Sequence, residues 1–292
     1  MVYAVLPEAR VIGVPDLHDP PRWVPHLLRL TGSFDVAFGN DQGTTGLLEL
    51  AGFVGADPAQ QVPIMVGNNT QAIDLASHIM AHLPGKVLTT LSEHHSNDLP
   101  HRARGRVLHA GIKPDGRIDL EDVAAKLERG DVKLLAVTGA SNVTGVMPPI
   151  HRLARMAHAH GARILVDAAQ LLAHAPIDVR PVGHKEHIDF LAAAGHKAYA
   201  PFGAAMLLAP RELADEAPPY LPGGGTVKWV TEDSALFAEA PDRHQGGTPN
   251  VAGTVAFAAA ARFLDHLGME EVRRHETELC LLYTSRSPRD RG

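Results

Sequence analysis

From about residue 47 onward, short apolar runs that stop at polar residues alternate with helical stripes, and this alternation is what most restricts the fold. Residues 62–66, 86–91, 106–110, 133–138, 163–166, 190–194 and 204–208 read as strands. Residues 69–83, 119–129 and 150–160 read as helices. In the second of these, Leu120, Val123, Ala124 and Leu127 form one apolar stripe, Asp119 is placed to cap it, Ile118 and Val123 to staple it, and Gly130 to stop it. Ile150, Leu153, Ala154 and Ala157 repeat the stripe, and Gly161 ends it. A short helix is predicted from residue 47 to Gly55, with a loop at 41–46 before it and a turn at 114–116. Strands alternating with helices of roughly 10–15 residues build crossover units and a largely parallel sheet. Apolar strands without polar alternation suit a sheet covered on both faces. The expected class is therefore α/β, a mainly parallel central sheet sandwiched by helices.

Composition excludes several alternatives. The 33 acidic residues outnumber the 27 basic ones, and a net charge of −6 argues against a chain built to grip nucleic acid. The single cysteine, Cys280, excludes a disulfide framework or a cysteine-based zinc site. No run of about 18 apolar residues predicts a membrane span. Glu8, Arg10 and Asp16 make the first residues a poor signal peptide, so a cytoplasmic location is expected.

In a sheet of this class, ligands sit at the carboxyl ends of the strands. Five strand ends deliver polar residues: Asn68-Asn69-Thr70, Glu93-His94-His95, Ser141-Asn142, Asp167 through Gln170, and His196-Lys197. Asn69 and Thr70 open a helix, whose first turn can hold a phosphate or be plainly capped. Asp167 ends a buried-type strand, where a carboxylate needs a cation or strong hydrogen bonds, either as a structural pair or for a protonated pyridine nitrogen. Lys197 lies among Ala and Gly, where desolvation would favour a neutral, nucleophilic amine; an exposed loop lysine is the plainer reading. His94 and His95 could bind metal, stack on a flat ring, or occur by chance in a chain with 18 His. His151, His158 and His160 read as solvated on polar helix faces, and Cys280 as a helix residue. An imine-forming lysine, an acid for a ring nitrogen and a phosphate cradle are jointly what pyridoxal phosphate requires. No metal site is expected.

The segments GNNTQAIDLA, SEHHSN, SNVTGVMPPI, VDAAQ, AGHKAYAPFG, PPYLPGGG and GGTPN, spread over residues 47–267, resemble class V aminotransferases, and most of all their cysteine desulfurase and selenocysteine lyase branch. The resemblance implies a pyridoxal-phosphate enzyme of aminotransferase type I fold, acting on an amino acid as a homodimer, with a sulfur-accepting protein as a further partner. It implies that Lys197 attaches the cofactor, Asp167 meets the ring nitrogen and His94 stacks on the ring. Asn142 and Gln170 would lie near the phenolic oxygen. Asn69, Thr70 and His196 would contact the phosphate, and Thr248 would reach the cofactor of the other subunit. The corresponding organisation is an irregular segment at 1–46, a cofactor-binding large domain at 47–250, the start of a small C-terminal domain at 251–280, and a non-native tail at 281–292.

Departures accompany the likeness. Ala194 stands where the family often has a phosphate-binding serine, and the family's catalytic cysteine and substrate-binding arginine would lie beyond GGTPN, past the end of this chain. The expected reaction is removal of sulfur from L-cysteine, giving alanine. The alternatives are an aminotransferase or lyase acting on a different amino acid, and an inactive cofactor-binding fragment.

Overall fold

The computed structural model describes residues 39–284. Residues 1–38 and 285–292, which hold most of the expected irregular segment and tail, lie outside the described residues. In chain order the elements are α1 (Gly39–Phe53), β1 (Gln61–Val66), α2 (Asn69–Ala81), β2 (Lys86–Thr90), α3 (Leu99–Arg104), β3 (Val107–Ala110), α4 (Leu120–Leu127), β4 (Val132–Thr138), α5 (Ile150–Ala159), β5 (Arg163–Asp167), β6 (Phe190–Ala194), β7 (Ala205–Pro210), α6 (Arg211–Glu216), β8 (Val227–Val230), β9 (Ala235–Phe237), α7 (Val251–Leu267) and α8 (Met269–Thr284).

Among the described residues, seven strands form one sheet in the order β1-β7-β6-β5-β4-β2-β3. Strands β2 to β6 pair in parallel, while β7 runs antiparallel to both β6 and β1. Reversing β7 alone leaves β1 pointing the same way as β2 to β6, so all six present their carboxyl ends along one edge.

Successive side chains alternate between two cores, as the pleat requires. Ile164 and Val166 of β5, and Leu135 and Val137 of β4, join one cluster with α1, α4, α5 and α7. Leu165, Leu134 and Ala136 join the other with α2. Burying each such Leu, Ile or Val stabilises the fold by about 2 kcal/mol. Asp119 accepts hydrogen bonds from the backbone N–H groups of Glu121 and Asp122, and Gly130 adopts φ 70°, as the cap and stop signals predict.

Two expectations change. Residues 41–46 are helical within α1, because Gly43 and Gly46 let α1 lie close against α7. A Cβ at Gly46 would sit 3.3 Å from the Thr254 side chain. Tertiary packing overrides weak helix propensity here. His151 and His158 are half-buried anchors rather than solvated residues. His151 bonds the Glu186 carbonyl, and His158 bonds the Lys185 carbonyl and the Asp189 carboxylate. Phe257, Ala258, Ala261 and Leu264 of α7 lie in the first core cluster, together with residues of the sheet.

Asp189 is the polar hub at the amino end of β5. Its carboxylate accepts from His158, Arg163 and the Ile164 N–H. Hydrogen bonds and cations hold its pKa below 3.8 despite burial, while the Asp189 bond raises the His158 pKa above 6.5. The Asp189 contribution is present above 3.8 and is lost as pH falls through its lowered value. The His158 contribution is complete below 6.5 and is lost as pH rises through its raised value. Replacing Asp189→Ala should cost about 2–3 kcal/mol in denaturant unfolding, since buried donors lose their acceptor. The gap from wild type should be widest between pH 3.8 and 6.5.

Candidate active site

Asp167 is the last residue of β5, in register with Thr138 on one side and Ala192 on the other, which sets it inside the sheet edge. It is 5% exposed. Its Oδ1 accepts from Asn69 Nδ2 at 2.7 Å and from the Ala169 N–H at 3.0 Å. No described residue hydrogen-bonds Oδ2. Burial pushes the Asp167 pKa up. The Ala169 and Asn69 bonds and the nearby Lys197 and His94 pull the other way.

Asn68, not Asn69, caps α2, accepting from the Gln71 N–H at 2.9 Å. Asn69 in the first turn is thereby free to turn its amide onto Asp167. Its Oδ1 is buried without a partner among the described residues. Thr70 is exposed and shares a 2.7 Å hydrogen bond with Ser96. Ser96 in turn lies 3.0 Å from His94 Nδ1 and donates its backbone N–H to that atom. These contacts make Nδ1 the side of the His94 ring that faces Ser96. Thus Thr70, Ser96 and His94 form one hydrogen-bonded string from the helix terminus to the imidazole.

Lys197 ends a short 3-10 turn after β6 and is exposed, as is His196. Of the two sequence readings, the exposed lysine is the one found, and Lys197 is electrostatically attracted to Asp167. Gly195 is required behind it, since a Cβ there would sit 3.0 Å from Ala200 and Phe257 atoms. Tyr199 and Phe202 follow with φ of 64° and 73°, uncommon for bulky residues, and expose 66% and 70% of their surface.

Asn142 is exposed after β4, and Gln170 is half-buried after β5, on the same edge. Thr248 is exposed ahead of α7. Asn142, Gln170, His196 and Thr248 make no side-chain hydrogen bond with the described residues. The sequence reading therefore brings together Asn69, Asp167, His94, Thr70 and Lys197, and leaves these four as edge residues without fixed partners. It missed Ser96 and Glu93, both inside the quoted SEHHSN segment. It also missed Asn250, whose Asn-after-Pro position opening a helix was the available signal. Asn250 accepts from the Gly253 N–H to cap α7 and donates to the carbonyls of Phe202 and Gly203. Among the described residues, no group of three or more His, Cys, Asp or Glu is arranged to hold a metal. No helix among them is long and apolar enough to cross a membrane.

A family model described as aminotransferase class-V matches residues 48–286. A probable cysteine desulfurase 2 from Mycobacterium leprae (strain TN) is 37% identical over 248 residues, covering 80% of this chain and 57% of the relative. A cysteine desulfurase from Haloferax volcanii is 34% identical, covering 78% and 54%. In the solved apo structure of cysteine desulfurase from Thermococcus onnurineus NA1, the similarity covers 89% of this chain and 68% of that one, with TM-score 0.75 and 29% identity. The chain spans a little over half the length of the curated relatives it matches.

Asn250→Ala should remove both the cap of α7 and the tie to the Lys197 loop. Unfolding free energy should fall by about 1–2 kcal/mol. Hydrogen exchange should accelerate at residues 199–204.

Proposed function

The chain belongs to the class-V aminotransferase family, and from that premise we propose that it forms the cofactor-binding part of a pyridoxal-phosphate enzyme that removes sulfur from L-cysteine, giving alanine. The observation that carries the reading is Asp167, a buried carboxylate with one oxygen that no described residue hydrogen-bonds, electrostatically coupled to both Lys197 and His94. An acid buried in this way needs a cationic or N–H partner, and a protonated pyridine nitrogen is one. The residues therefore fit the cofactor. The names of the relatives support the substrate.

Pyridoxal phosphate, when bound, supplies an electron sink for negative charge at a substrate's α-carbon. In the proposed roles, Asp167 keeps the ring nitrogen protonated, and Asn69 and Ala169 hold Asp167 in place. The Lys197 amine attaches the cofactor and, once released, takes the α-proton. His94 covers the ring face, oriented by Ser96. The first turn of α2 with Thr70 takes the phosphate, and His196 adds a contact beside it. Asn142 and Gln170 serve the phenolic oxygen. Thr248 belongs to a homodimer in which it reaches the partner's cofactor. A sulfur-accepting protein completes the reaction, and the cytoplasm is its place.

The test is reconstitution. Protein mixed with pyridoxal phosphate should develop a visible absorbance band that Lys197→Ala abolishes. Asp167→Ala should weaken cofactor binding about tenfold or more, since a charge-assisted hydrogen bond contributes about 1.5–3 kcal/mol. A band that persists at full strength in Lys197→Ala would overturn the reading.

A further inference from the structure

At the amino edge of the sheet, the end of α5, the start of β5 and the loop before β6 frame a cleft of about 360 Å³. Arg163 lines it and opens the strand that Asp167 closes. At a rise of about 3.3 Å per residue, the two positions lie about 13 Å apart along β5. None of the roles above uses this cleft.

Its charge balance favours an anion. Among the lining residues Asp189 is the one acid, and its carboxylate already accepts from His158, Arg163 and the Ile164 N–H. Arg163, Lys185 and His158 line the cleft with it. His158 has an acceptor at each ring nitrogen, the Lys185 carbonyl at Nδ1 and Asp189 at Nε2, which only a ring with both hydrogens satisfies. Its pKa is accordingly raised above 6.5 by the Asp189 bond. Two more acids stand outside the lining: Glu212 of α6 accepts from Arg163 Nη2, and Glu186 is paired with Arg155 of α5. Arg163 still keeps N–H groups to spare, and the exposed Lys185 ammonium makes no hydrogen bond with the described residues.

A buried acceptor in the wall narrows the choice of anion. His187 lines the cleft although only 4% exposed. Its Nδ1 lies 2.7 Å from the Arg180 carbonyl oxygen and 3.1 Å from that of Val179, so that nitrogen carries a hydrogen. Its Nε2 has no partner among the described residues. The ring is stacked on His158, with centroids 6.5 Å and planes 23° apart. His184 stands at the rim, its Nδ1 accepting the Glu186 N–H. Cations with spare donors call for an anion, and an acceptor beside them calls for one that also carries a hydroxyl. A phosphate monoester meets both demands, since its second proton leaves only at about pH 6. Its charged oxygens can accept from Lys185 and Arg163, its P–OH can donate to His187 Nε2, and exposed Val182 can meet its carbon skeleton. Sulfate, fully ionised, has no such hydroxyl. The cleft also falls within the size range of small-molecule sites, with room beyond a bare phosphate ion.

We propose that this cleft binds a small phosphate monoester through Arg163, Lys185 and His187, at a site separate from the one that Asp167 and Lys197 share. The proposal stands independently of the cofactor reading, which the Lys197-dependent visible band tests by itself.

The experiment is an NMR titration of the full chain at about pH 6 with glycerol 3-phosphate, inorganic phosphate and sulfate. It is followed at the histidine ring signals, assigned by single substitutions. The His158, His184 and His187 signals should move along saturating curves with glycerol 3-phosphate, and more weakly with inorganic phosphate. Sulfate should bind about tenfold more weakly than the ester, because it leaves a buried acceptor unpaired. Lys185→Ala, which spares the Asp189 bonds, should weaken ester binding about tenfold or more, and Lys197→Ala should not change it. Inorganic phosphate binding as tightly as the ester would assign the cleft to the free ion and overturn the monoester. Shifts that do not saturate, that spread over every exposed histidine or that ignore Lys185→Ala would overturn the site. Sulfate matching the ester would overturn the role of His187, and sensitivity to Lys197→Ala would move the binding to the candidate active site.

Discussion

A carboxylate at the buried end of a central strand is costly, and the arrangement around Asp167 follows from that cost. Desolvation disfavours its charge, and the fold offsets this with two N–H donors and with the nearby Lys197 and His94. Asn69 can donate only because Asn68 takes over the capping of α2. Ala169 can donate because the chain turns sharply just after β5. There, Gly139 passes so near that a Cβ would meet Leu171 at 2.8 Å. The acid thus dictates the choice of residue on two neighbouring turns.

The sheet supports this arrangement from both sides: two apolar cores pack each strand on opposite faces. The polar residues lie along the carboxyl edge, while the polar hub at Asp189 secures the opposite end of β5 and its crossover loop.

Much of this was legible in the sequence, for identifiable reasons. Strands buried on both faces announce themselves as unbroken apolar runs, and β6 matches its expected limits residue for residue. Asp119, Gly130 and Gly161 act as local signals whose geometry needs no partner elsewhere. The strand-end placement of Asp167 and Lys197 followed from the same pattern. What escaped depends on contacts distant in the chain. The helix at 41–46 exists because α7, some two hundred residues later, packs on its glycines. The Asn69 amide meets an acid 98 residues away. His158 looks like a surface residue until the loop carrying Lys185 and Asp189 folds over it. Lys197 follows the plainer of its two sequence readings, an exposed lysine, because Ala and Gly neighbours line its backbone without enclosing its side chain.

The stitch from Asn250 to the carbonyls of Phe202 and Gly203 joins two stretches of chain that would otherwise act separately. Between Lys197 and that stitch, Tyr199 and Phe202 adopt left-handed conformations. The start of α7 and the lysine are therefore mechanically linked. A tilt of that helix would be felt at the Lys197 turn through a stretch of chain only a few residues long.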